Sequence, residues 1–341
     1  MLKEIAIIAG FRRIFNQPAP GVIQGIGDDC AVIRTGGRNW LITTDAQVEG
    51  VHFRQETTTP LRLGRKCLAV NLSDIAAMGG RPRYAFLNLG LPRSLPRGFL
   101  SSFRRGLRAE ADKFSVALVG GDTHLSPGGI ALGLTVIGEA GTRIAFRSGA
   151  RPGDSLYVSG FLGQSAAGLR LLTAAPNRRG ALPRSFRREL VEAHQGPRPQ
   201  VELGQFLVRR GYAGAMIDLS DGLASDLRHL CRASGVGARI DTGRLPLSPA
   251  FRAATAWLAT PPLEIALRGG EDYQLLFTVP PGLQAKMEAQ VRRRREVTLF
   301  RIGEITPGKR ILLITSGRVQ ALRYQGFDHF TSGTGEDFPH V

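Results

Sequence analysis

Acidic residues in this chain gather in six short clusters, each flanked by Gly or a hydroxyl or amide residue. They are Gly27-Asp28-Asp29, Thr43-Thr44-Asp45, Asn71-Leu72-Ser73-Asp74, Gly120-Gly121-Asp122, Asp218-Leu219-Ser220-Asp221 and Gly269-Gly270-Glu271-Asp272. The surrounding protein has 28 acidic residues against a formal charge of +17. Most clusters follow an apolar run that reads as a strand. A single Asp after a strand is ordinarily a turn residue or a helix N-cap. Six such clusters in a basic chain point instead to a site for hard cations. Mg²⁺ takes oxygen ligands, retains several waters, and is shared between one or two carboxylates and substrate phosphates.

The elements that must position these acids alternate between strand and helix, with Gly at most junctions. Residues 40–44 read as a strand ending in Asp45. Residues 61–78 read as a helix stopped by Gly79-Gly80, a C-cap signal. Within it Asn71 and Asp74 are i, i+3 neighbours on one face. Strands are expected at 84–91, at 116–119 running into Gly120-Gly121-Asp122, and at 130–137, with an amphipathic helix at 99–113. Arg147 to Asp154 is turn-rich and lacks hydrophobic periodicity, so the domain boundary falls just before it. This divides the chain into 1–146 and 147–341. The second half reads as strand 156–159, helix 164–172 and a surface excursion over 174–199 around one short helix. Strand 215–217 then delivers Asp218, followed by helix 222–233, strands 238–240 and 273–279, and a hairpin of 311–314 and 319–322. The class is α/β (α+β), with two domains.

Composition narrows the function. A length of 341 residues with 43% hydrophobic and 21% charged residues is ordinary for a two-domain globular protein. No apolar run approaches the roughly 18 residues of a bilayer span. Met1-Leu2-Lys3-Glu4 carries an early acid, unlike a secretory signal. A cytoplasmic protein without membrane attachment is expected. Cys30, Cys67 and Cys231 are far apart and odd in number, which argues against disulfides, a structural zinc and a redox pair. The excess charge is scattered Arg. The runs at 292–295 and 178–188 interleave no aromatics, so they read as solvated faces and not as a specific nucleic-acid site.

The phosphate chemistry must come from an uncommon architecture. The chain has no G-x-x-x-x-G-K-[ST], no G-x-G-x-x-G opening a helix, no H-R-D with D-F-G and no G-x-S-x-G. Asp218 and Asp221 flank Ser220 at a strand-to-helix junction, where backbone N–H groups hold phosphate while the acids hold Mg²⁺. Gly120-Gly121 gives close backbone approach beside Asp122. Arg147 follows an apolar strand and suits a phosphate fork.

These motifs, in order, resemble the thiamine-monophosphate kinase family. The resemblance is carried by Gly25-Ile26-Gly27-Asp28-Asp29, Thr43-Thr44-Asp45, Val51-His52-Phe53 and the run Leu68-Ala69-Val70-Asn71-Leu72-Ser73-Asp74-Ile75-Ala76-Ala77-Met78-Gly79. It continues through Gly120-Gly121-Asp122-Thr123, Arg147 to Asp154, Ile217 to Leu223, Gly269 to Tyr273 and Gly326-Phe327-Asp328-His329-Phe330. It covers nearly the whole chain. Single motifs are shared with the wider aminoimidazole-ribonucleotide synthetase-like superfamily of ATP enzymes. The resemblance implies transfer of phosphate from ATP to thiamine monophosphate, giving thiamine diphosphate and ADP with several Mg²⁺ ions. It also implies an N-terminal sheet domain that forms a homodimer and a C-terminal α/β domain, with the active site in the cleft between them. By resemblance Asp29, Thr43, Thr44, Asp45, Asp74, Asp122, Asp218 and Asp221 are metal positions. Gly121, Asp122, Arg147 and Ser220 are ATP positions, and His52, Glu271 and Phe327 lie near thiamine. His124 and Phe327 depart from the commoner family residues.

The residues agree with that chemistry. A phosphate monoester has a second pKa of about 6 and is already anionic at pH 7. Such an acceptor needs no general base, and no catalytic His–Asp pair stands out. Two other readings compete. One is another synthetase of the superfamily, of the selenophosphate or aminoimidazole-ribonucleotide type. The first of these would want a reactive Cys in a Gly-rich loop, where none of the three cysteines sits. The other is a basic nucleic-acid-binding protein with a degenerate site, which should have lost some of its acids.

Overall fold

Two mixed sheets divide the chain, one on each side of the 147–154 turn region. The computed structural model describes residues 4–15, 17–174, 182–294 and 297–322. In the first half, helix α1 (Glu4–Phe15) precedes strands β1 (Val22–Gln24), β2 (Ala31–Thr35) and β3 (Arg38–Val48). Helix α2 (Pro60–Ala77), strand β4 (Arg81–Leu91), helix α3 (Phe99–Phe114) and strands β5 (Ala117–Leu125) and β6 (Ala131–Ala140) follow. The sheet order is β1-β2-β3-β6-β4-β5. Neighbours run antiparallel except for β4 and β5, which are parallel. Alternation along β3 buries Asn39, Leu41, Thr43 and Gln47 beneath α2 and leaves Thr44 and Ala46 outside.

Helix α2 is the central column. Thr59 caps its start by accepting the Arg62 N–H, and Pro60 sits at the first turn, where its missing N–H costs nothing. Its interior residues are almost all buried, because it has the first sheet on one side and the second domain on the other. It stops where Gly79 adopts φ +74°, a left-handed C-cap.

The second half contains β7 (Ser155–Val158), α4 (Gln164–Thr173), α5 (Arg184–Gln195), α6 (Val201–Arg209), β8 (Met216–Asp218) and α7 (Leu223–Ser234). Then come β9 (Gly237–Asp241), α8 (Pro249–Leu258), α9 (Pro262–Arg268), β10 (Leu275–Val279), α10 (Gln284–Arg292), β11 (Phe300–Thr306), β12 (Ile311–Thr315) and β13 (Arg318–Ala321). The sheet order is β13-β12-β9-β11-β7-β10-β8. Strands β7, β8 and β10 are buried on both faces, β13 at the other edge is exposed, and a second core forms around Leu156, Phe251, Leu276 and Ile302. The domains meet along α2, where α6 packs so closely that a Cβ on Gly204 would lie 2.0 Å from the Ala76 carbonyl oxygen. Only Gly fits there. Among the described residues no helix is long and apolar enough to cross a membrane.

The sequence reading differs from this fold in places. The expected strand at 116–119 does not end before Gly120-Gly121-Asp122, and β5 runs on to Leu125. A bulge at Val119 and the backbone of Gly121 (φ +151°) keep β5 against β4, where a Cβ on Gly121 would lie 1.8 Å from the Leu87 oxygen. Asp45 likewise sits within β3 and Asp74 within α2, so the acids are not all at strand ends. Helix α10 ends at Arg292 with Met287 and Val291 buried, and Arg294 lies over the Phe206 ring at 4.4 Å.

Candidate active site between the domains

Three elements deliver the acids to one place. The loop before β2 carries Asp28 and Asp29, α2 carries Asp74, and the end of β8 carries Asp218. Carboxylate oxygens of Asp29, Asp74 and Asp218 lie within 4.8 Å of one another. Ser73, beside Asp74, donates its hydroxyl to Asp218 at 2.6 Å and so joins the two domains at the cluster. Thr43 donates to Asp74 at 2.5 Å from β3. Asn71 accepts the backbone N–H of Asp45 at 3.1 Å, which ties β3 to α2 beside the acids.

The electrostatics follow from crowding. Burial, then Asp29, pushes Asp218 up to about 8, against the Ser73 hydrogen bond. Burial, then Asp221 and Asp29, pushes Asp45 up to about 6. Asp74 is raised by burial and by Asp45, Asp218 and Asp29. Charges that raise one another's pKa share a low-dielectric space. These couplings bring Asp45 and Asp221 into the same field as the trio.

Among the described residues, Arg147 is the cation bonded to the cluster. Its Nη2 and Nε donate to Asp29 Oδ1 at 2.6 and 3.1 Å. Its backbone N–H reaches Asp28 Oδ2 at 3.1 Å, and Asp28 also accepts the Asp29 N–H. Burial, then Asp29, still pushes the Asp28 carboxyl up to about 7. Asp29 Oδ2 is buried without a hydrogen-bond partner. An orphaned carboxylate oxygen beside two more carboxylates is costly unless a cation completes it. The donor set is all oxygen, which suits Mg²⁺. The residues present therefore fit a divalent cation.

The site residues read from the sequence fall into groups. Asp29, Asp74 and Asp218 come together, with Thr43 and Arg147 bonded to them, and Asp45 and Asp221 are electrostatic neighbours of the group. Ser220 lies on the same loop, where its carbonyl accepts the Glu271 N–H at 2.7 Å. The Thr44 side chain points to the opposite face of the sheet, where it accepts from Thr135 at 3.1 Å. Gly121 and Asp122 sit on the edge strand β5, three strands from Asp45 through Leu134 and Leu87, or about 14 Å. Asp122 is exposed and lies 3.7 Å from His124. His52 is held in the turn after β3, its Nδ1 accepting the Val48 N–H at 3.1 Å. Phe327 lies outside the described residues.

Glu271 has partners that the sequence reading missed. Its Oε1 lies 2.7 Å from Lys66 Nζ, and its Oε2 lies 3.2 Å from His194 Nδ1. Burial pushes this carboxyl up, but Lys66 and then His194 outweigh it and bring it down to about 2. Asp272, next in sequence, accepts the N–H groups of Gly163 and Ser165 at 2.6 and 3.1 Å and so fixes the start of α4. Lys66 left a signal in the sequence. It is a charge on the buried face of α2, seven residues before Ser73, and a buried charge needs a partner.

The raised carboxyls make an expected result in the metal-free protein. Asp has an unfolded pKa of about 3.9. A carboxyl raised above that contributes stability fully below the unfolded pKa and loses it as pH rises through the folded one. The thermal midpoint is thus expected to fall between about pH 4 and pH 8, the span from the unfolded pKa to the raised Asp45, Asp28 and Asp218. Mg²⁺ should flatten the fall, because the cation favours the ionised forms. Melting curves in EDTA and in saturating Mg²⁺ across this range check it, and identical slopes in both would count against a cation site here.

Comparison with known proteins agrees with this geometry. Residues 27–140 match the AIR synthase related protein N-terminal domain, and residues 151–315 match the corresponding C-terminal domain. Thiamine-monophosphate kinase of Salmonella typhimurium is 38% identical over 337 residues, covering 96% of this chain and 98% of the relative. That of Escherichia coli K12 is 38% identical over 331 residues, with the same coverage. A solved structure described as AaThiL complexed with AMPPCP and TMP superposes with a TM-score of 0.82 at 33% identity, over 96% of this chain and 97% of that one. Escherichia coli HypE, a hydrogenase maturation protein, shares the fold at 22% identity with a TM-score of 0.69. With full-length relatives at this identity and acids of both domains meeting in one buried cluster, the chain belongs to the thiamine-monophosphate kinase family.

Proposed function

We propose that this enzyme transfers the γ-phosphoryl group of ATP to the phosphate of thiamine monophosphate, giving thiamine diphosphate and ADP. The observation that carries the reading is the group of Asp29, Asp74 and Asp218, two buried and one half-buried, assembled from both domains in a chain of this family. Mg²⁺, when bound, supplies charge neutralisation and alignment for the two polyanions. The chain's own residues then do the holding. Arg147, fixed by Asp28 and Asp29, presents a cation at the cluster. The loop from Asp218 to Asp221 leads into the N-terminus of α7, whose N–H groups favour phosphate. No side chain is needed as general base, because the acceptor is already an anion. His229, which could otherwise serve, is held neutral, pulled down to about 4 by burial and then by Arg147.

The acceptor tests the reading. ADP release should be fast with thiamine monophosphate and at background with free thiamine, whose hydroxyl would need deprotonation. Equal rates with both acceptors, or activity only with aminoimidazole precursors, would overturn it.

We also propose a homodimer formed through the open face of the first sheet, in the cytoplasm where ATP is made available. Tyr84, Phe86, Leu118, Val119 and Leu125 are exposed on β4 and β5. A patch of large apolar side chains on a sheet favours burial by a second copy. Gly121 and Asp122 lie on this strand, so the dimer determines what they face. Light scattering should give twice the monomer mass, and Phe86→Glu should halve it. A monomeric wild-type protein would remove the dimer.

A further inference from the structure

The stripe of α2 that carries Ser73 carries a second grip on the other domain. Lys66 lies seven residues earlier, two turns and about 10 Å along the same face. Ser73 holds Asp218 directly. Lys66 holds Glu271, with Nζ buried at 2.7 Å from Oε1. Glu271 in turn belongs to a loop laid backbone to backbone against the Asp218–Asp221 loop. Its N–H donates to the Ser220 carbonyl at 2.7 Å, and the Tyr273 N–H donates to the Leu219 carbonyl at 2.8 Å. A Cβ on Gly270 would lie 2.5 Å from the Ser220 oxygen, so the two loops are in close backbone contact.

The loop is also strained. Glu271 and Tyr273 have φ of +64° and +49°, a region that side chains other than Gly rarely adopt. Such residues persist only where the surroundings over-determine them. Lys66 and His194 supply that restraint at Glu271, one on each carboxylate oxygen.

Two simpler roles fit less well. Ser165, His194 and Glu271 look like a hydrolytic triad, but Ser165 Oγ and Glu271 Oε2 both meet Nδ1 of His194, at 3.0 and 3.2 Å. A relay needs one partner on each ring nitrogen. A plain bolt between domains is already provided elsewhere. Arg62 pairs with Glu192 at 2.6 Å, and Gln195 donates to the Thr57 carbonyl. Lys66 is the link that ends on the loop beside Ser220 and Asp221.

We propose that Lys66 is a positioning residue for phosphoryl transfer: through Glu271 it sets where Ser220 and Asp221 stand relative to Asp74, and so fixes the divalent-cation site. The proposal rests on the cation-dependent kinase reading above. Neighbours that orient metal ligands typically change affinity or activity by 10–100-fold when lost.

The test measures Mn²⁺ binding by the free-ion electron paramagnetic resonance signal, so it needs no turnover. Lys66→Met alone leaves Glu271 buried without its cation, and the fold suffers for that reason. The double variant Lys66→Met/Glu271→Gln removes both charges and should regain a near wild-type thermal midpoint. It is nonetheless expected to bind Mn²⁺ about tenfold more weakly and to show a matching fall in kcat. Lys66→Arg, which keeps a cation on Glu271, should recover most of the Mn²⁺ affinity. Arg62→Met, which breaks the other interdomain pair, should leave Mn²⁺ affinity within about twofold of wild type. Wild-type Mn²⁺ affinity in the double variant overturns the proposal. So does equal weakening by Arg62→Met, which would mean that domain docking alone is at work. If the double variant fails to fold, Lys66→Arg decides, and a folded Arg variant as weak in Mn²⁺ binding as Lys66→Met overturns the proposal. A wild-type protein that binds Mn²⁺ but does not phosphorylate thiamine monophosphate would defeat the kinase reading and leave this comparison standing.

Discussion

Asp218→Asn is expected to lower kcat by about 10² or more while raising the thermal midpoint of the metal-free protein. Asp218 is buried, and burial and Asp29 push its carboxyl up to about 8. At neutral pH the folded protein therefore bears the cost of crowded acids. Asn has nearly the same shape, and its carbonyl still accepts from Ser73, so the interdomain hydrogen bond survives. What disappears is one charge from the proposed cation site. A gain in stability with a loss of activity is the signature of a site strained for function. An ADP-release assay at saturating Mg²⁺ and melting curves in EDTA check both halves. Near-wild-type turnover would take Asp218 out of the cation site, and a lower midpoint would mean that the crowding account is wrong.

Arg147→Met has a different signature, loss of both stability and nucleotide use. Burial works against the charge on this guanidinium, but Asp29, with Asp28 and Asp218, outweighs it and keeps the group charged. Without it Asp29 stays buried with no counter-charge. Removing one partner of a buried pair typically costs about 3–5 kcal/mol, a large fraction of the roughly 5–15 kcal/mol that folded proteins have. Saturating Mg²⁺ should restore part of the loss, because a bound cation meets the same carboxylates. Arg147→Lys keeps the charge but loses the paired contacts from Nε and Nη2, so it should fall between the two. Thermal midpoints with and without Mg²⁺, together with KM for ATP, measure this. A Met variant with an unchanged midpoint and unchanged KM for ATP would show that Arg147 supports neither the cluster nor the nucleotide.

Much of the fold was legible where the local signal was strong. The helix expected at 61–78 is α2 (Pro60–Ala77), because Pro60 starts it and Gly79 ends it. The hairpin around Ser316-Gly317 pairs as expected, Ile314 opposite Val319. Short elements were missed. β1 has three residues, and β8 was read one residue too early at each end. Helices α6, α8 and α9 are short, at 9, 10 and 7 residues, and leave too few turns for a clear periodic signal. β5 was cut short because Gly-Gly ordinarily ends a strand, whereas here it permits the close approach to β4.

The acids themselves were legible in the sequence, since Asp and Glu beside Gly, Ser, Thr or Asn form a local pattern that needs no tertiary contact to be seen. Their kind and the chemistry that follows, oxygen ligation and an anionic acceptor, depend only on residue type. Which of them meet was decided by tertiary structure. Ser73 reaches Asp218 across 145 residues and Arg147 reaches Asp29 across 118, distances over which no local pattern carries information. Strand alternation put the Thr44 side chain on the opposite face from Thr43, and sheet order put Asp122 on an outer edge. Lys66 meets Glu271 across 205 positions of sequence, because α2 packs against the second domain. A sequence specifies the donors, but burial sets their pKa values, and only packing determines which of them share the space.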